Sequence, residues 1–449
     1  MAARSARAVL SASRTLVRPS ASSLYPVFSV SSAPSVYTAS APAVPRNFSI
    51  ARLRMAPFAP KRPTPTTSRN TAMPLSTAAA PAAARRSIFS YSVAASYIAK
   101  DRPYDPTTHV FHFNPYNRLQ QNSQAVQRKK PAQRPESGQD AFFVSRIGNS
   151  GSVALGVADG VGGWMDSGVD PADFSHGLCE YMAAAAYEHG KSPAQDQQQP
   201  PQPLGARRLM EVGYQAVRHD PGIAAGGSTA IVGLLSPDGV LEVANLGDSG
   251  FIQLRLNGVH TYSEPQTHAF NTPYQLSVVP DTVLKRMAAF GGAQLSDEPR
   301  DAEVTRHSLR HGDVLVFASD GVWDNLFNQD ILKLVSRAMR VTGAWQTSQK
   351  DAGVGVADPQ GLRELTHPNE TDVVGEEEVS FTLQSLIATQ LTSAAKAASV
   401  NTKLNGPFAK EVKRYYPHEA WHGGKVDDIC VVVVVVSEEP GESEIKSKL

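Results

Sequence analysis

Five aspartates in this sequence stand where an apolar run begins or ends. They are Asp140, Asp159, Asp248, Asp320 and Asp427. The run at 153–158 is typical of a buried strand, and Asp159 follows it directly, in front of the glycine-rich turn at 160–163. A carboxylate at a strand end can point its oxygens into a cleft, and the adjacent glycine lets the backbone carbonyl approach a ligand. A single Asp-Gly pair is only a common turn, so the recurrence of this arrangement carries the functional argument.

Asp140 and Asp159 are expected to be neighbours. Asp140 precedes one predicted strand and Asp159 follows the next. In an antiparallel hairpin, the start of the first strand and the end of the second share one edge. Asp248 and Asp320 also follow predicted strands, and Asp427 and Asp428 precede one. If these strands belong to facing sheets, one rim of a sandwich carries five or six carboxylates.

The carboxylates of such a rim would repel one another unless cations neutralise their charge. Carboxylates held within ~4–6 Å of one another raise each other's pKa values. Ligation by oxygen atoms alone, with no Cys or His, favours hard ions, either Mg²⁺ or Mn²⁺. Two such ions that share a carboxylate can activate a water molecule and clamp a phosphoryl group. The pattern therefore indicates metal-assisted phosphoryl chemistry.

Alternating strand and helix patterns must position these aspartates. Strands are predicted at 141–146, 152–158, 228–235, 240–246, 251–256, 303–309, 313–319 and 429–436, and helices at 171–190, 206–219, 282–292, 328–341 and 379–399. The segments 303–309 and 313–319 are expected to form a hairpin, as are the first two strands. Because short turns connect most strands and helices come between groups of strands, the sequence predicts an α+β fold of antiparallel sheets with helices packed outside.

The first hundred residues differ from the rest of the chain. They contain eleven arginines, two lysines and no acidic residue, whereas the remainder has 30 basic and 42 acidic side chains. A basic leader rich in Ala, Ser and Pro is typical of a mitochondrial transit peptide, and a generic disordered basic tail is the alternative. We expect residues 1–100 to be a transit peptide and disordered leader, with processing near Arg85, and the protein to reach the mitochondrial matrix.

Composition also divides the remaining chain and excludes several classes of protein. The expected divisions are a linker at 101–136, a folded domain at 137–437 with loop insertions at about 192–205 and 342–378, and a frayed tail at 438–449. No apolar run reaches the ~18 residues of a membrane-spanning helix, so no transmembrane segment is expected. No nucleic-acid binding is expected either, because the basic residues are diluted among Ala, Ser and Pro. Cys179 and Cys430 match no metal motif.

A series of motifs between about Gly138 and Val436 identifies a family resemblance. In chain order they are GQDAFF, VADGVGGW, GGSTAIV, ANLGDSGF, ASDGVWDNL and GGKVDDICVVVV. The chain resembles the type 2C family of metal-dependent serine/threonine protein phosphatases. GVGGWMDSGVDP together with FNTPYQLS at 270–277 is most similar to the mitochondrial branch of that family. The resemblance implies a central β-sandwich of two antiparallel sheets flanked by helices on both outer faces.

The resemblance also implies roles for individual residues at a centre that holds two Mg²⁺ or Mn²⁺ ions. Asp159 matches the aspartate that bridges the two metals, and Gly160 matches the residue whose backbone carbonyl binds one of them. Asp320 and Asp427 match the ligands of the other metal. Asp140 matches the aspartate that holds metal-bound water. Asp248 matches a carboxylate that some members use for a weak third metal, and a purely structural turn is the alternative for it.

Three positions depart from the family pattern. Gln139 stands where many members have a ligating glutamate, and Gly250 stands where many have an arginine. Val161 replaces a histidine that other branches are proposed to use as the general acid. The general acid is therefore unassigned, with metal-bound water, His176 and His268 as candidates. A Gln139→Glu substitution is expected to strengthen metal binding if this side chain reaches the metals, and to have no effect if it points away.

The sequence predicts a protein phosphatase that hydrolyses phosphoserine and phosphothreonine on mitochondrial proteins. A metal-bound water or hydroxide would attack phosphorus in line, without a phosphoenzyme. Phosphorylated mitochondrial proteins are the expected partners, and the chain is expected to be a monomer. The alternative is a catalytically silent module that binds phosphoproteins. Gln139 and Val161 favour that alternative, and the retained metal-site aspartates argue against it.

Overall fold

The computed structural model describes residues 88–113, 131–191, 203–280, 285, 297–347, 353–367 and 381–439. All of them belong to one compact unit, Ala80–Leu449. Residues 1–87 of the transit peptide and leader predicted at 1–100, most of the insertion at 192–205, and residues 440–449 of the tail predicted at 438–449 lie outside the described residues. The helix predicted at 282–292 lies outside them as well, apart from residue 285. Within the described ranges no helix is both long and apolar enough to span a membrane.

Seventeen strands form the described part of the chain's sheets. They are β1 Phe89–Ile98, β2 Val110–His112, β3 Asp140–Arg146, β4 Val153–Asp159, β5 Gly226–Ser228, β6 Ala230–Ser236, β7 Val240–Leu246, β8 Gly250–Arg255, β9 Gly258–Tyr262, β10 Thr267–Ala269, β11 Thr272–Pro273, β12 Leu276–Val278, β13 Glu303–Ser308, β14 Val314–Ala318, β15 Trp345–Thr347, β16 Val354–Val356 and β17 Ile429–Glu438. The two large sheets have six strands in the order β2-β1-β17-β14-β8-β9 and five in the order β13-β7-β6-β4-β3, and the remaining strands form the pairs β10-β11, β12-β5 and β15-β16. Neighbouring strands in both sheets are antiparallel.

Helices cover the outer faces of both sheets. They are α1 Pro171–Glu188, α2 Ala206–His219, α3 Asp320–Trp323, α4 Asn328–Val341, α5 Pro359–Thr366, α6 Leu383–Ser399 and α7 Pro407–Tyr415. Leu178 and Met182 of α1 share a hydrophobic cluster with Ala154 and Ala158 of the five-stranded sheet. Ile387 and Leu391 of α6 lie in a second cluster, on the six-stranded sheet. The predicted α+β class and the helix-covered sandwich are therefore confirmed.

Strand β17 is buried on both of its faces. Eight apolar residues follow one another at 429–436, and all of them are buried. Since successive side chains of a strand point to opposite faces, Val431 and Val433 join the cluster under the helices. Val432 and Val434 join the cluster between the two sheets. A strand with both faces buried explains the continuous apolar run that the sequence shows.

The folded domain includes residues 89–98, although it was expected to begin at residue 137. Residues 89–98 were assigned to the leader, but they form β1, which pairs with β17 over ten residues, from Phe89 opposite Glu438 to Ile98 opposite Ile429. The segment FSYSVAASYI is rich in Ala and Ser, so its apolar pattern is weak in the sequence. Small side chains nevertheless suit a central strand, because Ala94 and Ala95 are completely buried there.

The expected hairpin between 303–309 and 313–319 is wrong. β13 pairs with β7 in the five-stranded sheet, whereas β14 pairs with β8 and β17 in the six-stranded sheet. The short connection therefore crosses from one sheet to the other. A strand–turn–strand pattern is the same for a hairpin and for a crossing of this kind, so local sequence did not distinguish them.

The remaining element predictions were mostly correct. Helices expected at 206–219 and 328–341 have those bounds, and the hairpin of β3 and β4 is present. The segment 342–378 was expected to be an irregular insertion, but its described part contains β15, β16 and α5. The sequence reading also missed α7, which lies after the last predicted helix.

Candidate metal centre

Asp140 and Asp159 face each other across the β3–β4 hairpin. The register places them directly opposite one another at the end of the pairing, which confirms that the two are neighbours. The backbone oxygen of Asp159 accepts hydrogen bonds from the Ser228 hydroxyl at 2.8 Å and from the Thr229 N–H at 2.9 Å. These bonds fix the end of β4 against the end of β5 and the residue that precedes β6.

Asp248 and Asp320 meet Asp159 at the rim between the sheets. Each of the three offers a carboxylate oxygen, and these oxygens lie within 4.8 Å of one another. Asp248 lies in the connection between β7 and β8, where the chain passes from the five-stranded to the six-stranded sheet. Asp320 follows β14 of the six-stranded sheet and starts α3. The cluster therefore draws its ligand atoms from both halves of the sandwich.

Asp427 joins the group through a lysine. Lys425 places its Nζ atom 2.5 Å from Asp320 Oδ2 and 3.1 Å from Asp427 Oδ2. The same Nζ lies 2.7 Å from Asp324 Oδ2. The structure thus brings Asp320 and Asp427 to one ammonium, and it adds Asp324 to the acidic group.

Asp140 is held at the bottom of the site by a buried serine. Its side chain is 1% exposed, and its Oδ2 accepts a 2.6 Å hydrogen bond from Ser319 Oγ. Ser319 Oγ in turn accepts from the N–H of Cys430 at 3.0 Å. Because Ser319 follows β14 and Asp140 begins β3, this chain of hydrogen bonds ties the two sheets together beneath the cluster.

Asp428 supports the same region but points to backbone groups. Its carboxylate accepts from the N–H of Lys100 at 2.7 Å and from the N–H of Gln139 at 2.9 Å. Gly138 makes this approach possible, since its φ is +69° and a Cβ there would lie 2.4 Å from the Asp428 carboxyl. Asp428 therefore fixes the start of β3, and with it Asp140, relative to β17.

Burial and mutual repulsion dominate the electrostatics of the cluster. Burial raises the pKa of Asp140 and that of Asp159 well above the usual value, and neighbouring carboxylates raise both further. Burial followed by the charge of Asp320 raises the pKa of Asp248 to about 8. Removal of these carboxylates from water is costly unless positive charge compensates for it. The site therefore favours a bound cation.

The side chains present fit hard divalent cations. Among the described residues, Oδ1 of Asp140 and Oδ1 of Asp248 are buried and have no hydrogen-bond partner. An unpaired buried carboxylate oxygen is costly, and it is the kind of atom that a metal ion or its water shell would satisfy. All the donors are oxygens, as Mg²⁺ and Mn²⁺ prefer.

Gly160 lies where only a glycine fits. A Cβ atom on it would lie 2.9 Å from the Gln139 backbone oxygen and 2.9 Å from Pro171. Its N–H donates to the Gln139 oxygen at 3.1 Å. The close packing accounts for a glycine next to Asp159 and keeps the backbone of residue 160 at the edge of the acidic cluster.

Gln139 directs its side chain away from the cluster. Its Nε2 lies 2.8 Å from Met165 Sδ, on the short 3₁₀ turn that follows the glycine-rich segment. We therefore expect Gln139→Glu to leave the Mn²⁺ concentration for half-maximal activity within about twofold of the wild type. A metal titration of both proteins measures this, and a Mn²⁺ requirement reduced fivefold or more would show that position 139 does reach the metals.

The structure also shows the surroundings of Gly250 and of the two histidines considered as the general acid. A Cβ on Gly250 would lie 2.8 Å from Ser263 Oγ and 3.3 Å from Trp323 Nε1, which leaves little space for a longer side chain. His268 lies 3.0 Å from Asp297 Oδ2 and stacks on Tyr274, contacts that describe a structural role. His176 is buried in α1.

Sequence reasoning missed three residues of this site, Ser319, Asp324 and Lys425, and it did not predict that Asp428 binds backbone N–H groups. Two of them carry a recognisable signal. Asp324 lies four residues after Asp320 at the end of a helical turn, so both share one face. Lys425 lies two residues before Asp427, just ahead of β17, and alternate side chains of a strand point the same way. Ser319 has no comparable signal, because its function depends on the packing of two sheets.

Comparison with known proteins gives consistent results. The profile of the family described as Protein phosphatase 2C matches residues 130–354. "Protein phosphatase 2C homolog 7, mitochondrial" of Saccharomyces cerevisiae is 29% identical over 311 residues, which cover 69% of this chain and 77% of the yeast protein. "Protein phosphatase PTC7 homolog fig" of Drosophila yakuba is 33% identical over 304 residues, 67% of this chain and 76% of that protein. The X-ray structure of the photosystem II phosphatase PBCP has a TM-score of 0.47 at 22% identity, and the match covers 77% of this chain and 98% of that one.

Proposed function

Because the chain belongs to the protein phosphatase 2C family, we propose that it is a Mg²⁺- or Mn²⁺-dependent phosphatase that hydrolyses phosphoserine and phosphothreonine in proteins. One observation carries the metal dependence. The carboxylates of Asp159, Asp248 and Asp320 converge within 4.8 Å of one another, and among the described residues a buried oxygen of Asp248 and one of the nearby Asp140 have no hydrogen-bond partner. A cluster of this kind is stable when cations occupy it.

The proposed roles are those that the resemblance to the family implies for these residues. Asp159 would bridge two cations, with the Gly160 carbonyl as a further ligand of one, and Asp320 and Asp427 as ligands of the other. When bound, such cations activate a water molecule for attack on phosphorus and neutralise the phosphoryl oxygens.

Asp140 and Asp248 would act beside these ligands. Asp140, fixed by Ser319, would accept a hydrogen bond from that water through Oδ1 and so orient it. The unpartnered oxygen of Asp248 supports a role for it in a weaker third site.

The cysteines do not support a covalent mechanism. Cys179 and Cys430 are both free and buried. Burial raises the pKa of each thiol well above its usual value, whereas a cysteine nucleophile needs a lowered pKa and access to the substrate. Direct attack by water on the phosphoryl group is therefore the mechanism that we propose.

Hydrolysis assays of the full chain test this function. We expect a phosphothreonine peptide and a small aryl phosphate to be hydrolysed in Mn²⁺ or Mg²⁺ and to be stable in excess EDTA. Mass spectrometry of the enzyme during turnover should show no phosphorylated protein. Binding of the phosphopeptide without hydrolysis at saturating Mn²⁺ would instead support the phosphoprotein-binding module.

We also propose that the protein acts in mitochondria, as a monomer, on phosphorylated mitochondrial proteins. The basic leader without acidic residues supports this location, and so does the yeast relative that is named mitochondrial. We expect a fusion of the full chain to a fluorescent protein to enter mitochondria and a fusion that lacks residues 1–87 to spread through the cytosol. Mitochondrial import of the shortened fusion would contradict this proposal.

A further inference from the structure

Lys425 lies inside the acidic cluster, at the position that the proposed function gives to a metal. Its ammonium contacts Asp320 and Asp427, the two side chains assigned to one cation, at 2.5 Å and 3.1 Å. Asp324 completes the contacts at 2.7 Å. The lysine side chain is only 15% exposed, so these ion pairs are largely shielded from water. One monovalent cation thus holds the ligands that a divalent cation would need.

The backbone of Lys425 is anchored, so its side chain can move without moving the chain. Asn325, which is 2% exposed, accepts from the Lys425 N–H at 3.0 Å and donates to the Lys425 carbonyl at 2.9 Å. The Nζ atom also lies 5.3 Å from the centre of the Phe408 ring. A cation near an aromatic face is stabilised there, so the ammonium would keep this contact with Phe408 if it moved off the carboxylates towards the ring.

Lys425 neutralises carboxylate charge in only one half of the acidic cluster. Its charge acts on Asp320, Asp324 and Asp427 through direct contacts. Among the described residues, Asp159 forms no ion pair with a lysine, an arginine or a histidine. Within the part of the chain that the structure describes, the half of the cluster that contains Asp159 and Gly160 therefore has no side-chain counter-ion, whereas Lys425 supplies one to the half that contains Asp320 and Asp427.

We propose that the Lys425 ammonium is a resident competitor for one of the two metals. It holds Asp320 and Asp427 together in the metal-free protein and must be displaced, towards Phe408, before a cation can bind there. The Asp159–Gly160 position has no such competitor, so the two metals bind with unequal affinity. This inference rests on the proposed metal-dependent function.

Calorimetric titration of the metal-free full chain with Mn²⁺ tests the proposal. The wild type should show a tighter and a weaker binding event. In Lys425→Met the weaker event should tighten at least tenfold, since the competing charge is gone, and the tighter event should stay within about twofold. Lys413→Met removes the same charge from the exposed face of α7 and should match the wild type.

Thermal unfolding gives a second readout on the same proteins. Without metal, Lys425→Met should unfold at a lower temperature than the wild type, because buried carboxylates lose their counter-ion. Saturating Mn²⁺ should raise its melting temperature by more than it raises that of the wild type. An equal rise in both proteins would contradict competition.

A measurement on the wild type alone avoids any folding defect of the variant. A short pulse of acetic anhydride, read by peptide mass spectrometry, should acetylate Lys425 faster in saturating Mn²⁺ than in EDTA, because displacement frees the amine. Lys413 should react equally in both. Slower or unchanged acetylation of Lys425 in Mn²⁺ would overturn the proposal.

The outcomes separate the inference from the proposed function. Superimposable two-event isotherms of wild type and Lys425→Met would show that Lys425 does not compete, and the metal-dependent function would stand. Weaker Mn²⁺ binding in Lys425→Met would show that the lysine assists the metals, which also overturns the inference. If none of the proteins binds Mn²⁺, the proposed function fails and the inference fails with it.

Discussion

Replacement of Asp159 or Asp320 by asparagine should lower kcat on a phosphothreonine peptide by at least two to three orders of magnitude. Each residue offers a carboxylate oxygen to the group of three oxygens that lie within 4.8 Å of one another. An amide keeps the shape of the side chain but removes its charge. Loss of one electrostatic contact to a transition state already costs ~10²–10³-fold in kcat, and a lost metal ligand weakens several such contacts together. Steady-state kinetics in saturating Mn²⁺ measure the effect.

A matched variant distinguishes the loss of a metal-centre carboxylate from the loss of one negative charge elsewhere in the protein. Asp238→Asn removes the same charge from an exposed turn at the far end of β6, and it should retain full activity. Circular dichroism should show that all three variants are folded. If Asp320→Asn retained more than about a tenth of the wild-type kcat at saturating Mn²⁺, Asp320 would not be a metal ligand.

The convergence of the aspartates was accessible from sequence because most of it depends on local geometry. Asp140 and Asp159 flank a hairpin whose turn is short, so the antiparallel register places them opposite one another. Asp320 and Asp427 each adjoin a strongly apolar strand, and these two strands are neighbours in one sheet. Strand ends marked by Asp and Gly were thus sufficient to indicate the rim.

The supporting residues were less accessible because their function depends on contacts between distant segments. Ser319 reaches Asp140 across 179 residues of sequence, and Asp428 reaches the N–H of Lys100 across 328. Neither partner can be found by spacing. The side chain of Gln139 was similarly ambiguous, since only the position of Met165 shows which way it points.

The same limitation explains the misplaced start of the domain. β1 lies between β2 and β17 in the six-stranded sheet, yet its alanines and serines give little apolar signal. Its burial comes from its partners, because the valines of β17 belong to the apolar clusters on both faces of the sheet. An element whose neighbours provide the hydrophobic contacts cannot be recognised from its own composition.

The position of β1 leads to the second large effect that we expect. A chain that lacks residues 1–98 should fail to give a soluble protein with a cooperative thermal transition, whereas a chain that lacks residues 1–87 should unfold at the temperature of the full chain. The longer deletion removes a ten-residue partner of β17 and exposes its backbone N–H and C=O groups as a new sheet edge, which favours aggregation.

Energetic magnitudes support this difference. Tyr91, Val93 and Ile98 of β1 are at most 7% exposed, and burial of each large apolar side chain contributes roughly 1.5–3 kcal/mol. Their loss is comparable to a total domain stability of ~5–15 kcal/mol. Tyr91 also donates a 2.6 Å hydrogen bond to the Ser236 carbonyl of the other sheet. Thermal unfolding followed by circular dichroism compares the two deletions, and a cooperative transition in the chain without residues 1–98 would show that β1 is dispensable for the sandwich.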